Sequence, residues 1–253
     1  MFRKTQIFAH RGANRVAAEN TRTAFDLALK DDIDGMETDV QLSRNGVAVL
    51  WHDDTLARLG LPDRHIDDFN YAELQTMNFA TLFDAAAPFE SVMRLQDFIQ
   101  RYRSRTRLLL EIKNRSAEAP ARIRLKVEQT LALAEKSDGK NILINSFELA
   151  SLVYAHQCVP DFPLVYNMEP EHTITDVRAA LTAQTFLHGY CLHISSLNSE
   201  ITALLRSHNK SISAYTCNTD AEIKKALDLG VDILISDVPQ KALQLRDHPS
   251  VTD

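Results

Sequence analysis

The 253-residue sequence predicts an α/β protein built as a (β/α)8 barrel. Short β-rich runs alternate with helical ones along most of the chain, the pattern of parallel strands joined by crossover helices. Nine strand-like runs can be counted, and the third follows the second too closely for a crossover, which leaves eight for a parallel set. Charged and histidine side chains gather at the C-terminal ends of several runs, where barrel enzymes carry their working groups.

Residues 5–9 read as the first strand and 19–30 as the first helix, with Asn20 or Thr21 as its cap. Strands at 33–42 and 47–51 are joined through Asn45-Gly46, a strong hairpin signal, so the second folds back antiparallel on the first. Residues 53–88 read as a small insertion on one face, with a short helix at 71–77, and a further helix follows at 94–102. Strands at 107–112, 141–145, 163–167, 190–194, 211–216 and 232–236 complete the barrel. Helices at 122–135, 148–156, 175–183, 200–207 and 220–229 separate them. No linker divides the chain, so residues 1–253 are expected to form one domain. The rival architecture, a doubly wound open sheet, would carry a glycine-rich loop after its first strand, where this chain has His10-Arg11-Gly12.

Composition narrows the function classes. A hydrophobic content of 45% and a charged content of 25% are those of a soluble globular protein. No apolar run approaches the roughly 20 residues that span a bilayer, and residues 1–6 run into the first strand without leader features. Cys158, Cys191 and Cys217 are widely spaced and form no CxxC, which points to a reduced cytoplasm. A formal net charge of −6 argues against a broad nucleic-acid surface. Arg101, Arg103, Arg105 and Arg107 read as a solvated helix end that complements the helix dipole, or else as a patch facing phosphate or membrane. None of the seven glycines belongs to a GxGxxG or P-loop pattern, so no nucleotide cradle is expected.

The strand ends carry the chemistry. His10 and Arg11 end the first strand, Glu37 and Asp39 lie near the end of the second, and Glu111 and Lys113 end the strand after the insertion. Glu37 and Asp39 are two apart on a strand, so they share a face. Such neighbours are costly unless a cation sits between them or one keeps its proton. With Glu111 they make a hard-oxygen set that selects Mg2+ or Ca2+, unless each is a rim carboxylate paired to a cation such as Lys113. If Asn45-Gly46 is a two-residue loop, Asp39 lies opposite His52, with Cβ atoms about 4.5–5.5 Å apart. His10 and His52 then flank one site as acid and base, or serve as ligands or core residues. Arg11, as a fork, and Lys113, as a point charge, suit a phosphate. The remaining histidines, His65, His156, His172, His188, His193, His208 and His248, receive no role; His193, on a barrel strand, is the next candidate. Together these residues suggest metal-assisted phosphoester chemistry.

At these positions the chain resembles the glycerophosphodiester phosphodiesterase family. Ala9-His10-Arg11-Gly12, Glu19-Asn20-Thr21 and Glu37-Thr38-Asp39-Val40 follow its HRG, ENT and ExDV signatures in order. Asn45-Gly46, His52-Asp53, Glu111-Ile112-Lys113, Ser146-Phe147, Gly230-Val231-Asp232 and Ser236-Asp237-Val238-Pro239 continue the likeness over nearly the whole chain. The resemblance implies a barrel, a bound divalent cation, and hydrolysis of a small-molecule glycerophosphodiester to glycerol 3-phosphate and an alcohol. It also implies His10 and His52 as the acid/base pair, Glu37, Asp39 and Glu111 as ligands, and Arg11 and Lys113 as phosphate contacts. Three places depart from the pattern: Ala18 stands for a usual Pro, Val92-Met93-Arg94-Leu95 for Ile-Pro-Thr-Leu, and Tyr215 for a common Trp near the alcohol or glycerol group. Two other functions compete: a lysophospholipid phosphodiesterase at a membrane surface, and a non-catalytic barrel that senses phosphodiesters.

Overall fold

A computed structural model describes residues 4–115, 118–136 and 141–248; the leader reading of residues 1–3 and the chain's last residues lie outside them. Eight parallel strands close into a barrel. They are β1 (Gln6–His10), β2 (Gly35–Leu42), β4 (Arg107–Ile112), β5 (Ile142–Ser146), β6 (Leu164–Met168), β7 (Gly189–His193), β8 (Ser211–Tyr215) and β9 (Ile233–Ser236). Each pairs with the next, and β9 pairs back onto β1. The ninth strand, β3 (Ala48–Leu50), is antiparallel to the far end of β2, beyond residues 35–37, which pair with β1.

The helices form the outer layer: α1 (Arg22–Ala28), α2 (Tyr71–Leu74), α3 (Leu95–Tyr102), α4 (Pro120–Glu135), α5 (Leu149–Cys158), α6 (Ile174–Ala183), α7 (Ser199–Ser207), α8 (Asp220–Asp228) and α9 (Pro239–Asp247). The first helix is shorter than the sequence pattern suggests because Thr21 caps it, its Oγ1 accepting from Ala24 N at 3.3 Å, while Asn20 adopts a left-handed φ of 58°. The run at 71–77 keeps only one helical turn. α9 had no range in the sequence reading; Pro239 at its first turn starts it.

Three apolar clusters hold the molecule. Phe8, Leu109, Leu143, Val165, Cys191, Ile233 and Ile235 fill the barrel interior below the site. Phe8 needs Gly35 opposite, where a Cβ would come 2.3 Å from its ring. A larger cluster, including Met36, Phe25, Phe98 and Tyr102, lies between sheet and helices. The third, built on Val49, Trp51, Leu56, Ile66, Leu74, Phe79 and Val92, seats the segment after β3 on its strand. Among the described residues, no helix is long and apolar enough to cross a membrane.

The hairpin corrects one expectation. Val40 pairs with Leu50 and Leu42 with Ala48, so the loop is three residues, Arg44-Asn45-Gly46, closed by Ser43 N donating to Val47 O at 3.0 Å. Gly46 takes a left-handed φ of 78°, the geometry of a three-residue loop ending in a bulge. Ser43 Oγ accepts from Val47 N at 3.0 Å, and Asn45 Oδ1 accepts from Ser43 Oγ and Tyr71 N, both at 2.9 Å, which holds the longer loop. Asp39 therefore faces Trp51, whose N–H donates to Asp39 O at 3.1 Å, and not His52.

Candidate active site

The parallel register assembles the acidic residues. Glu37 pairs with His10 of β1, and Asp39 pairs with Glu111 of β4, so neighbouring strands present them at one level. One oxygen from each of Glu37, Asp39 and Glu111 lies within 4.8 Å of the other two, and all three residues are buried. Part of each carboxylate is tied down. Asp39 Oδ2 accepts from Asn20 Nδ2 at 2.9 Å and lies 3.1 Å from Arg11 Nε. Glu111 Oε2 accepts from Asn167 Nδ2 at 3.2 Å, while its Oε1 lies 2.7 Å from Lys113 Nζ. Glu37 Oε2 and Asp39 Oδ1 are buried with no hydrogen-bond partner.

The charges respond to this crowding. Burial, reinforced by Asp39 and Glu111, pushes the Glu37 carboxyl well above the usual carboxylate range. Burial also acts on Asp39, but Arg11 and Lys113 outweigh it and hold that carboxyl well below its ordinary value. Arg11 and Lys113 are themselves buried, yet the facing carboxylates raise both above their ordinary values. The clustered carboxylates keep oxygens without a hydrogen-bond partner, and hard oxygen donors without a soft ligand fit a divalent metal. Unlike them, Glu19, His52 and Asp53 also lie together, but Arg11 and Arg58 already neutralise Glu19 and Arg58 neutralises Asp53.

Each site histidine is held by an aspartate. His10 Nδ1 lies 2.6 Å from Asp237 Oδ1, just past β9, and its Nε2 is 3.9 Å from Glu37 Oε2. Asp237 also accepts from Asn14 Nδ2 at 2.7 Å, Asn218 Nδ2 at 2.8 Å and Arg15 Nη2 at 2.9 Å. Burial raises the Asp237 carboxyl, and the His10 and Asn14 contacts outweigh it, holding the group well below its usual range. His52 Nδ1 lies 2.8 Å from Asp53 Oδ1, whose Oδ2 accepts from Arg58 Nε at 2.6 Å. Despite burial, His52 and Arg58 pull the Asp53 carboxyl down to about 2. Gln41 Nε2 fixes the turn around His52 by donating to Trp51 O at 3.1 Å and Asp53 O at 2.9 Å. Ionised aspartates accept hydrogen bonds only, so each ring keeps its proton on Nδ1 and turns Nε2 away from its aspartate.

Two connected cavities open here. An inner one of about 130 Å³ is bounded by His10, Arg11, Glu37, Tyr215 and Ile235. An outer one of about 590 Å³ is bounded by Asp53, Asp54, Asn114, Glu148 and Glu169. His52, Glu111, Lys113 and Phe147 line both. Tyr215 stands edge-on to Phe147 at 5.6 Å, and its hydroxyl donates to Met168 O at 2.9 Å. His193 packs edge-on against Tyr215 from outside the two cavities.

The structure thus brings together His10, Arg11, Glu37, Asp39, His52, Glu111, Lys113 and Tyr215. Sequence reasoning gave no site role to Asp237, Asn20 and Phe147, which it quoted only as a helix cap or within family signatures, and did not single out Asn167 or Arg58. Asp237 follows a barrel strand directly, so the strand-end rule could have given it a role; Asn167 and Arg58 carry no such signal.

The Glycerophosphoryl diester phosphodiesterase family model matches residues 10–241. A glycerophosphodiester phosphodiesterase of Bacillus altitudinis is 29% identical over 249 residues, 96% of this chain and 99% of that protein. One from Caldanaerobacter subterraneus is 26% identical over 252 residues, 96% and 98% of the two chains. Among solved structures, an Oleispira antarctica phosphodiesterase in complex with its product sn-glycerol-3-phosphate has a TM-score of 0.85 at 25% identity, covering 96% of each chain. With a family match that starts at the first histidine of the rim and ends inside α9, this chain belongs to the glycerophosphoryl diester phosphodiesterase family.

Proposed function

We propose that the protein hydrolyses glycerophosphodiesters to glycerol 3-phosphate and an alcohol, with residues 1–253 working as one barrel and 53–88 as a small insertion beside its mouth. The observation that carries this reading is the pair of aspartate-held imidazoles flanking a buried three-carboxylate cage. Glu37, Asp39 and Glu111 would hold Mg2+ or Ca2+. When bound, that ion supplies Lewis-acid stabilisation of charge on the phosphoryl oxygens.

Arg11 and Lys113 bind the phosphodiester and offset the charge that develops at phosphorus. Of the two cavities His10 borders the inner one, on the glycerol side, and acts as the base: its unprotonated Nε2 removes the proton of the nucleophile, either water or the vicinal glycerol hydroxyl, the latter giving a cyclic phosphate that water then opens to glycerol 3-phosphate. His52 lines both cavities, at the boundary the alcohol crosses, and acts from its protonated form as the acid that gives Nε2–H to the leaving alkoxide. Asp237 and Asp53 orient the two rings and stabilise their protonated forms. Tyr215 and Phe147 wall the glycerol side. Three free cysteines support a reducing, cytoplasmic setting.

The test is a panel of glycerophospho-alcohols assayed with chelator and again after Mg2+ or Ca2+ is restored. Release of glycerol 3-phosphate only with cation supports the reading. Release unaffected by chelation removes the metal, and no release from any diester removes the activity. A cyclic phosphate in the first-formed product would identify the vicinal hydroxyl as nucleophile, and oxygen-18 from solvent would identify water.

A further inference from the structure

On the floor of the inner cavity, one chain of side-chain amides has only one possible direction. Glu111 Oε2 accepts from Asn167 Nδ2 at 3.2 Å, and a carboxylate has no proton of its own to donate. Asn167 must therefore turn its nitrogen to Glu111 and its oxygen the other way. That oxygen accepts from Asn145 Nδ2 at 3.0 Å. The nitrogen of Asn145 is thus committed, and its Oδ1 is left over: buried, and without a hydrogen-bond partner. Asn145 is 1% exposed, stands next to last in β5 in register with Glu111, and lines the inner cavity together with Asn167. A buried carbonyl oxygen without a donor is costly, and such atoms in folded proteins ordinarily have a partner.

Any partner other than a metal ion must bring a proton, because this oxygen has only lone pairs to offer. It must also be small: a cavity of about 130 Å³ has the volume of about four water molecules. The cationic donors that line the cavity, Arg11 and Lys113, are turned to Glu19, Asp39 and Glu111, and Tyr215 donates to Met168 O. We infer that Asn145 is a specificity-determining residue whose Oδ1 accepts a hydrogen bond from the terminal hydroxyl of the substrate's glycerol group. This rests on the proposed hydrolysis of glycerophosphodiesters and adds which part of the substrate the barrel floor reads. The terminal hydroxyl is chosen because it lies farthest from phosphorus and takes no part in the chemistry, whereas the vicinal one is a candidate nucleophile. A substrate without it leaves Asn145 Oδ1 buried and bare, a loss that corresponds to about five- to 150-fold in an equilibrium. A site built around a hydroxyl therefore rejects the analogue that lacks it.

The experiment compares kcat/KM for a glycerophosphodiester and for the matching phosphodiester of propane-1,2-diol, which keeps the vicinal hydroxyl and loses only the terminal one. Both are assayed with the wild-type protein, with Asn145→Ala and with the near-isosteric Asn145→Leu. Wild type is expected to prefer the glycerol compound by about ten- to 100-fold. In both variants the preference is expected to shrink to within about threefold, mostly through loss of rate on the glycerol compound. Wild type that turns over both substrates equally overturns the inference and needs no variant to fold. So does a variant that keeps the preference, or one whose only change is weaker binding of added Mg2+, which would make Asn145 a metal ligand. If wild type hydrolyses neither compound, the proposed activity itself has failed, a result distinct from all of these.

Discussion

The two histidines differ less in themselves than in what holds them. Asp237 gives His10 a half-buried partner with three further donors fixing it, whereas Asp53 sits nearer solvent under Arg58. Asp237→Asn keeps the shape but can present an amide N–H to His10 Nδ1, favouring the tautomer with its proton on Nε2. Its kcat should fall about a hundredfold or more with KM little changed; steady-state kinetics check this, and a fall below about threefold would reduce Asp237 to packing. His10→Ala and His52→Ala should each lose about 10²–10⁴ in kcat. The Asp53 carboxyl offers a pH test with a definite sign. Its folded value, about 2, lies below the usual value of about 3.9, so its contribution to stability is present above that usual value and lost as pH falls through 2. Urea midpoints of wild type and Asp53→Asn should differ at about pH 5 and converge near pH 2. Charged motif residues were legible in the sequence because their spacing is chemical. The contacts of Asp237 and the amides were not, because nothing in an Asn or Asp tells which distant side chain it meets.

At the scale of elements, the hairpin shows how one residue of loop length resets a register. A two-residue loop would have set Asp39 against His52, but Gly46 in the left-handed region makes it three residues, and one residue of slip turns every side chain over. His52 still reaches the cavities because it lies beyond Leu50, outside the ladder, where Gln41 and Asp53 set its position rather than strand alternation. Loop length is decided by the side-chain hydrogen bonds of Ser43 and Asn45, which the Asn-Gly signal does not encode. Gly46→Ala tests this: an L side chain at that φ costs about 1–2 kcal/mol. Thermal unfolding should drop by about 3–6 °C with kcat unchanged; an unaltered melting temperature would mean the loop is not held in this conformation.

Across the whole molecule, strand order was readable because parallel strands buried on both faces write themselves as apolar runs and their crossovers as amphipathic ones. The segment after β3 was harder, since short turns around Trp51 and Phe79 have no periodicity to read. The barrel carries a standing cost at its mouth, three carboxylates buried together, and burial beside Asp39 and Glu111 pushes the Glu37 carboxyl up. Chelated Glu37→Gln should therefore melt higher than chelated wild type. Adding Mg2+ or Ca2+ at about 100 times its Kd should raise wild type by about 5–10 °C and leave the variant unmoved. Differential scanning calorimetry reads both, and a variant that gains as much as wild type would place the ion elsewhere.

The most direct measurement is calorimetric titration of Mg2+ or Ca2+ into chelated protein, wild type beside Asp39→Asn and Glu111→Gln. One ion per chain in wild type, with at least tenfold weaker binding in both variants, is the predicted result. A wild type that takes up no ion, or variants that bind as tightly as wild type, would contradict a cation held between these strands.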